Sequence, residues 1–202
     1  MGSGSVQGRT GSVVARVLNV PNSISFLRLA LIPVFVWLVF GAQEHGWAGV
    51  LLGVIGATDW IDGFLARKLD QVTEVGKFLD PLADRIAVVV AVVAGLVTGV
   101  LPAWFAIALV VREVVIGIGA IHGWRNGVTK LDVRLLGKAA TLALYVSVTL
   151  FYLGDGFSAA WATWIAYLFG IPGLVMYYWV AVQYLGDMRT AIADRKKGRG
   201  SS

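Results

Sequence analysis

Apolar residues form six long runs along the chain, separated by short polar segments. A helix needs roughly 20 apolar residues to cross a bilayer. The runs therefore predict six membrane-spanning helices, near residues 24–42, 47–66, 78–99, 102–123, 135–154 and 160–185. The last run is long and contains Pro172, so a kink or an extension beyond the bilayer is expected there.

The two ends of the chain are polar, unlike its apolar middle. The first residues, MGSGSVQGRTGS, are rich in glycine and serine, a composition that favours a flexible segment. A short interfacial helix is expected over residues 12–20, with Arg16 on its polar side. The sequence thus predicts a flexible N-terminus with an interfacial helix over 1–20, a six-helix domain over 21–188 and a basic cytoplasmic tail over 189–202.

Composition agrees with a membrane location. Hydrophobic residues make up 57% of the 202 positions and charged residues 14%, whereas a soluble domain carries about 25% charged residues. The fold class expected is an all-α integral membrane protein. The chain has no cysteine, which excludes disulfides, thiolate metal sites and cysteine nucleophiles. The net charge of +5 favours anionic lipid headgroups as partners, and no nucleic acid is expected.

The distribution of basic residues predicts the orientation in the membrane. None of the 17 lysines and arginines lies in the segments 43–46, 100–101 and 155–159. Lysine and arginine concentrate on the cytoplasmic side of membrane proteins. Both termini and the polar turn after the second run are therefore expected in the cytoplasm. The expected location is the cell membrane (inner or plasma), with several crossings and the active site facing the cytoplasm.

Four aspartates flank the polar turn between the second and third runs. Asp59 and Asp62 are three residues apart, and Asp80 and Asp84 are four apart, so each pair shares one helix face. The short segment RKLDQVTEVGK between them would set the two helices side by side and antiparallel. We expect the two pairs of carboxylates to face each other near the cytoplasmic end.

Converging carboxylates repel one another unless a cation neutralises them, and charged residues in a membrane usually mark a functional site. Oxygen ligands without histidine or cysteine suit Mg²⁺, Mn²⁺ or Ca²⁺. Two such ions about 4 Å apart could clamp a phosphate during an in-line displacement. A cation transporter or proton relay is the competing interpretation, but its carboxylates would lie near the bilayer midplane, on broken helices.

Small residues and an arginine accompany the aspartates. Gly63 and Ala66 leave room for a bulky ligand against the helix, and Gly76 would allow close helix approach. The alternative is that these three are ordinary packing residues of a membrane helix. Arg67 offers a planar pair of donors to a phosphate.

The segment DWIDGFLARKLDQVTEVGKFLDPLAD, residues 59–84, resembles the complete signature of the CDP-alcohol phosphotransferases. Eight fixed positions match over 26 residues, and the six-helix layout extends the resemblance over nearly the whole chain. The resemblance implies transfer of a substituted phosphate from a CDP-linked donor to an alcohol, with release of CMP. It also implies two bound Mg²⁺ or Mn²⁺ ions and a homodimer.

The resemblance assigns roles to the residues of the signature. Asp59, Asp62 and Asp80 would be metal ligands, while Asp84 would bind metal and act as the general base that takes the proton of the acceptor hydroxyl. The positions implied to bind the CDP donor are Asp59, Asp62, Gly63, Ala66, Arg67 and Gly76, with Arg67 near the diphosphate.

The segment NVPNSISFLRLALIPVF, residues 19–35, resembles the start of the branch that contains phosphatidylglycerophosphate synthases and cardiolipin synthases. Asn22 and Arg28 would then lie near the cytoplasmic mouth, within reach of nucleotide or phosphate. The alternative roles are helix capping by Asn22 and surface anchoring by Arg28.

A second polar group occurs in the motifs REV, residues 112–114, and GKAAT, residues 137–141. Arg112, Arg134 and Lys138 could form a basic pocket for the phosphate of the acceptor. Alternatively, Arg112 and Glu113 pair with each other or with a neighbour. His45 and His122 have no metal-ligand partner by spacing, and structural roles are expected for both.

Two departures from the phosphatidylglycerophosphate synthase pattern bear on the acceptor. Ala120 and Ala140 stand where that pattern has an arginine and a lysine. Glycerol-3-phosphate carries nearly two negative charges and phosphatidylglycerol only one, so fewer cations favour phosphatidylglycerol. The chain therefore looks more like the actinobacterial-type cardiolipin synthases, with CDP-diacylglycerol as donor. Glycerol-3-phosphate stays open as the alternative acceptor.

Overall fold

The computed structural model describes the backbone of residues 20–69, 74–125 and 135–199, and the side chains within 27–58, 85–119, 121–123, 125 and 135–190. This part of the chain contains helices and no strand. The helices are α1 (Val20–Val36), α2 (His45–Leu69), α3 (Glu74–Thr98), α4 (Ala103–Arg125), α5 (Leu135–Gly156) and α6 (Ala160–Arg199). A π-helical turn, Trp37–Gly41, continues α1. The six predicted helices are confirmed as helices.

Three helices are long and apolar enough to cross a bilayer, over Ala103–Gly123, Leu135–Gly156 and Ala160–Thr190. The described apolar parts of the other three are shorter, Leu27–Gly41, His45–Thr58 and Arg85–Thr98. Large apolar side chains are exposed on every helix, which suits a surface that faces lipid. Six crossings and cytoplasmic termini stay predictions.

Exposed tryptophans lie near the first residues of alternate helices. Trp47, Trp104 and Trp161 are each more than half exposed and begin α2, α4 and α6. The ring of Trp47 contacts Phe157, just after α5, at 6.1 Å between centroids, so the start of α2 and the end of α5 lie together. Because tryptophan concentrates at membrane–water interfaces, these positions are those expected for an aromatic belt. The side chain of Trp124 lies outside the described residues.

Several boundaries differ from the prediction. Helix α2 continues to Leu69 and α3 begins at Glu74, so the polar turn expected over 67–77 is shorter. Arginine, lysine and glutamate are good helix formers, and a helix can therefore continue through them into water. Residues 1–19, with the predicted interfacial helix, lie outside the described part of the chain.

Helix α6 has 40 residues and includes Pro172. At about 1.5 Å per residue it is roughly 60 Å long, twice the thickness of a bilayer core of about 30 Å. The helix therefore continues well beyond residue 185, and its extension beyond the bilayer stays a prediction. Residues 189–199, assigned to a tail from their charge, continue this helix.

Helix α5 is the centre of the bundle and is tied to three neighbours by side-chain hydroxyls. Tyr145 Oη donates to the Leu52 carbonyl of α2 at 2.5 Å, and Tyr152 Oη donates to the Ala91 carbonyl of α3 at 2.8 Å. Ser147 Oγ donates to the Ala166 carbonyl of α6 at 2.7 Å. A buried hydroxyl without a partner would cost free energy, and a helical carbonyl has a second lone pair to accept it. These bonds fix α5 against α2, α3 and α6.

A line of glycines on α2 faces α5, and we call it the glycine seam. Its spacing of three, four and three residues places all four glycines on one face. The absence of side chains lets the two backbones approach closely. The seam consists of Gly46, Gly49, Gly53 and Gly56, which lie against Phe157, Leu153, Thr149 and Tyr145.

Another glycine makes the turn between α3 and α4. Gly99 has φ +79°, a conformation that side chains disfavour. The Leu101 N–H donates to the Gly95 carbonyl at 3.0 Å and closes the turn. The short connection sets α4 antiparallel to α3.

The glycine seam predicts a difference between two alanine substitutions on α2. A Cβ at residue 49 would lie 2.9 Å from the backbone nitrogen of Leu153, which cannot move aside. We expect Gly49→Ala to lower the free energy of unfolding by about 1–3 kcal/mol, the usual cost of overpacking. A Cβ at residue 53 would lie 3.5 Å from Thr149 Cγ2, an ordinary contact. Gly53→Ala is the matched control and should be neutral.

Thermal unfolding of both variants in the same detergent measures this difference. Equal unfolding temperatures for Gly49→Ala and the unsubstituted protein would contradict the close approach of α2 to α5.

Candidate active site

The residues of the signature lie on two helices. Asp59, Asp62, Gly63, Ala66 and Arg67 are in the last part of α2, and Gly76, Asp80 and Asp84 are in the first part of α3. Their side chains lie outside the described residues. The convergence of the four carboxylates therefore stays a prediction.

Residues about one helical turn from Asp59 and Asp84 line a common cavity of about 340 Å³, which we call the α2–α5 cavity. Gly56 precedes Asp59 by three residues, and Ala87 follows Asp84 by three, so each lies about one helical turn from its aspartate. The helical turns next to those that carry Asp59 and Asp84 thus border one cavity. Among its lining residues are Ile55, Gly56, Ala87, Val88, Lys138 and Tyr145.

Lys138 is the charged side chain among the described residues that line the α2–α5 cavity. It lies in the first turn of α5 and is exposed. A flexible ammonium group at this position can approach a phosphate as a mobile point charge. The cavity therefore combines an apolar wall with a cation beside the aspartate-bearing turns.

A second cavity of about 300 Å³, the valine cavity, lies between α3, α4, α5 and α6. It shares Val88, Thr141 and Tyr145 with the α2–α5 cavity. The two cavities are therefore neighbours. Residues that line the valine cavity alone include Val92, Val93, Val110, Glu113 and Tyr177.

Arg112, Glu113 and Tyr177 form a polar cluster between α4 and α6. Arg112 Nη1 donates to Glu113 Oε1 at 2.9 Å, and Tyr177 Oη donates to the same oxygen. The Arg112 guanidinium also lies over the Tyr177 ring, 3.4 Å from its centroid, a favourable cation–π position. The alternative expectation, that Arg112 and Glu113 pair with each other, is confirmed. Arg112 Nε is buried without a hydrogen-bond partner among the described residues.

The structure describes the side chains of only some of the remaining predicted residues. Arg134 lies outside the described residues, so the basic pocket of Arg112, Arg134 and Lys138 stays a prediction. Asn22 is in α1, and its side chain is not described. Arg28 is also in α1 and has only 3% of its surface exposed, so the alternative role as a surface anchor is wrong. The side chain of Ala120 is not described, and Ala140 is fully buried.

A histidine–aspartate pair joins α2 to α5 at the far end from the signature. His45 Nδ1 lies 2.6 Å from Asp155 Oδ2. Sequence reasoning assigned His45 a structural role but missed its partner, which is 110 positions away. His122 is exposed near the end of α4. Neither histidine belongs to a group of three metal-ligating side chains within the described part of the chain.

The chemistry of the signature residues fits divalent metal ions. Four carboxylates without cysteine form the hard oxygen set that Mg²⁺ and Mn²⁺ prefer. Asp59 and Asp84 lie about one turn from residues that line one cavity with a lysine on its wall. The predicted site would hold a metal-bound diphosphate, and the cavity would leave room for an attached apolar group.

The chain is similar to known proteins over most of its length. The model of the CDP-alcohol phosphatidyltransferase family matches residues 18–172. A cardiolipin synthase (CMP-forming) of Streptomyces coelicolor is 35% identical over 188 residues, 88% of this chain and 86% of that protein. A putative cardiolipin synthase of Mycobacterium tuberculosis is 36% identical over 189 residues, 92% and 90% of the two chains.

A protein whose name contains glycerol-3-phosphate is also similar to this chain. The CDP-diacylglycerol–glycerol-3-phosphate 3-phosphatidyltransferase of Bacillus subtilis is 35% identical over 148 residues, 66% of this chain and 76% of that protein. Identity alone therefore does not separate the two acceptors.

The polar cluster predicts that removing one charge costs more than removing both. Glu113→Leu leaves the Arg112 charge in an apolar setting, which typically costs about 3–5 kcal/mol. We expect a loss near 3 kcal/mol, since the Glu113 side chain is 31% exposed. The double variant Arg112→Leu with Glu113→Leu leaves no unpaired charge and should be more stable than Glu113→Leu alone.

Unfolding temperatures in one detergent give this comparison, with Arg112→Leu alone completing the double-mutant cycle. A double variant that loses the full sum of the two single losses would show that the pair is not coupled.

Proposed function

The chain belongs to the CDP-alcohol phosphatidyltransferase family, and we propose that it transfers a phosphatidyl group from CDP-diacylglycerol to phosphatidylglycerol. The products would be cardiolipin and CMP. Membership makes the protein a phosphatidyltransferase of phospholipid biosynthesis. The acceptor, the metal dependence and the roles of single residues are our proposal.

The reaction is a displacement at phosphorus. A hydroxyl oxygen of the acceptor glycerol attacks the phosphorus that carries the diacylglycerol. The bond from this phosphorus to the bridging oxygen breaks, and CMP leaves with the electron pair. Asp84 accepts the hydroxyl proton as the general base. Orientation of the hydroxyl toward the phosphorus supplies a large part of the rate, because it converts a bimolecular encounter into a positioned one.

Asp59, Asp62, Asp80 and Asp84 would hold two Mg²⁺ or Mn²⁺ ions, and such ions neutralise the charge that develops on the diphosphate. Carboxylates between two cations bind protons weakly, so Asp84 is a modest base. Gly63 and Ala66 leave space for the nucleotide, and Arg67 donates to the diphosphate. The observation that carries this assignment is the complete signature of eight residues over 59–84.

The α2–α5 cavity supports the position of the donor. It is apolar over most of its wall and lies about one turn from both Asp59 and Asp84. The diacylglycerol part of the donor can follow this cavity away from the aspartates, while Lys138 approaches a phosphate at the same end.

The acceptor is proposed from charge. Ala120 and Ala140 replace two cations that a glycerol-3-phosphate monoester would require. The full burial of Ala140 supports this choice, because a lysine would not fit there without displacing neighbours. Similarity to proteins named cardiolipin synthase over about nine-tenths of the chain agrees with it. Glycerol-3-phosphate is the second candidate, supported by similarity to a protein with that acceptor in its name.

The membrane setting completes the proposal. Both lipid substrates reach the site from within the bilayer, and CMP leaves into water on the side that carries the basic residues. We therefore propose an active site on the cytoplasmic face of the cell membrane. A homodimer is also proposed, on the resemblance to the family alone.

Substitution of the aspartates tests the proposed chemistry. Asp59→Asn or Asp80→Asn removes one ligand charge and should lower CMP release by at least about a hundredfold. Asp84→Asn should block turnover while Mg²⁺ and CDP-diacylglycerol still bind in part. Asp70→Asn, in the same polar segment but outside the signature, is the matched control and should retain activity.

CMP release and Mn²⁺ binding are measured for all four variants in mixed micelles. Activity close to that of the unsubstituted protein in Asp59→Asn or Asp80→Asn would rule out the proposed metal site. Equal losses of metal binding and turnover in Asp84→Asn would contradict a separate role as base.

A further inference from the structure

We propose that the valine cavity binds an acyl chain of the lipid acceptor, so that donor and acceptor enter from different sides of α3. This inference rests on the proposed function and extends it to the class of acceptor. The donor is already assigned to the α2–α5 cavity, so the position, polarity and exposed side of the valine cavity point to a second lipid.

The valine cavity is amphipathic along its length. Its polar lining side chains are Glu113, Thr141, Tyr145 and Tyr177. We infer that they lie toward the end nearest to Val88, which follows Asp84 by one helical turn. This alignment follows from the short turns that make α3 antiparallel to α4, and α5 antiparallel to α6. A head group with hydroxyls could therefore lie at the aspartate end.

The rest of the cavity is apolar and leads away from the aspartates. On α3 its wall runs from Val88 to Val93, and on α5 it runs from Thr141 to Val148. The second distance is about 10 Å at 1.5 Å per residue. A volume of about 300 Å³ lies at the lower end of the range for small-molecule sites. The cavity can take the upper part of one acyl chain.

The cavity also reaches the outer surface of the bundle. Val89 and Val93 of α3 and Val114 of α4 line it and are between 44% and 53% exposed. An exposed apolar surface of this kind suits contact with lipid. An acyl chain can therefore enter sideways, without leaving the bilayer.

The helices that line the two cavities indicate which lipid each one takes. The α2–α5 cavity includes α2, the helix with the positions assigned to CDP. Described lining residues of the valine cavity come from α3, α4, α5 and α6, with none from α2. It lies beside α3, the helix that carries Asp84, to which the acceptor must present its hydroxyl. Glycerol-3-phosphate has no acyl chain and would leave this apolar cavity unused.

Filling the cavity should selectively weaken the binding of the lipid acceptor. Val93→Phe and Val110→Phe each add a ring to its wall. We expect the Michaelis constant for phosphatidylglycerol to rise about tenfold or more, because one excess methylene in an apolar pocket already costs roughly 10–200-fold. The constant for CDP-diacylglycerol should be unchanged. Glycerophosphoglycerol, the deacylated acceptor, should react equally well with variants and unsubstituted protein.

Val97→Phe is the matched control, since Val97 lies one turn beyond Val93 on α3, is 69% exposed and lines neither cavity. CMP release is measured in mixed micelles with each lipid varied in turn, and unfolding temperature and oligomeric mass are recorded for all variants. Val93 is partly exposed, so Val93→Phe keeps the test valid if Val110→Phe does not fold.

Several results would overturn the inference. An unchanged constant for phosphatidylglycerol in a folded Val93→Phe variant would do so while leaving the proposed function intact. A rise for CDP-diacylglycerol alone would assign the cavity to the donor. A changed oligomeric mass with unchanged constants would assign this face to subunit contact. Unsubstituted protein that uses only glycerol-3-phosphate would overturn the proposed acceptor and the inference together.

Discussion

The close packing of α2 on α5 is the contact on which the arrangement around the site depends. Four glycines at residues 46–56 remove the side chains that would hold these helices apart. Within lipid the hydrophobic effect contributes little to helix association, and close van der Waals packing holds the helices together instead. The seam ends at Gly56, one turn before Asp59. It therefore brings the aspartate-bearing end of α2 beside Lys138 and Tyr145 of α5.

Several polar groups inside the bundle form hydrogen bonds that hold the other helices together. Hydroxyls of α5 donate hydrogen bonds to backbone carbonyls of α2, α3 and α6. Between α4 and α6, Glu113 accepts hydrogen bonds from Arg112 and Tyr177. Such pairing is needed because hydrocarbon offers no alternative partner. Two cavities remain around α3 and α5, and they share a wall of Val88, Thr141 and Tyr145. Val88 follows Asp84 by one helical turn, so this wall is compatible with our proposal that two lipids meet near the predicted carboxylate site.

The sequence predicted the six helices because long apolar runs leave the backbone few alternatives in a membrane. It placed the ends of α2 and α3 less well, since Arg67 and Glu74 suit a helix as well as a turn. The glycine seam was visible in the spacing of residues 46–56 but was not identified. The pairs of His45 with Asp155 and Glu113 with Tyr177 were missed because 110 and 64 positions separate the partners. No local feature of the sequence predicts that Arg28 is buried. The convergence of the aspartates rests on the sequence alone.

The most direct test of the proposed reaction is CMP release by purified protein from CDP-diacylglycerol, with Mg²⁺ or Mn²⁺ and one acceptor at a time. We predict release with phosphatidylglycerol, formation of cardiolipin, and loss of both when the metal is chelated. Release with glycerol-3-phosphate alone would contradict the acceptor inferred from Ala120 and Ala140. Undiminished release after chelation would contradict the role given to the four aspartates.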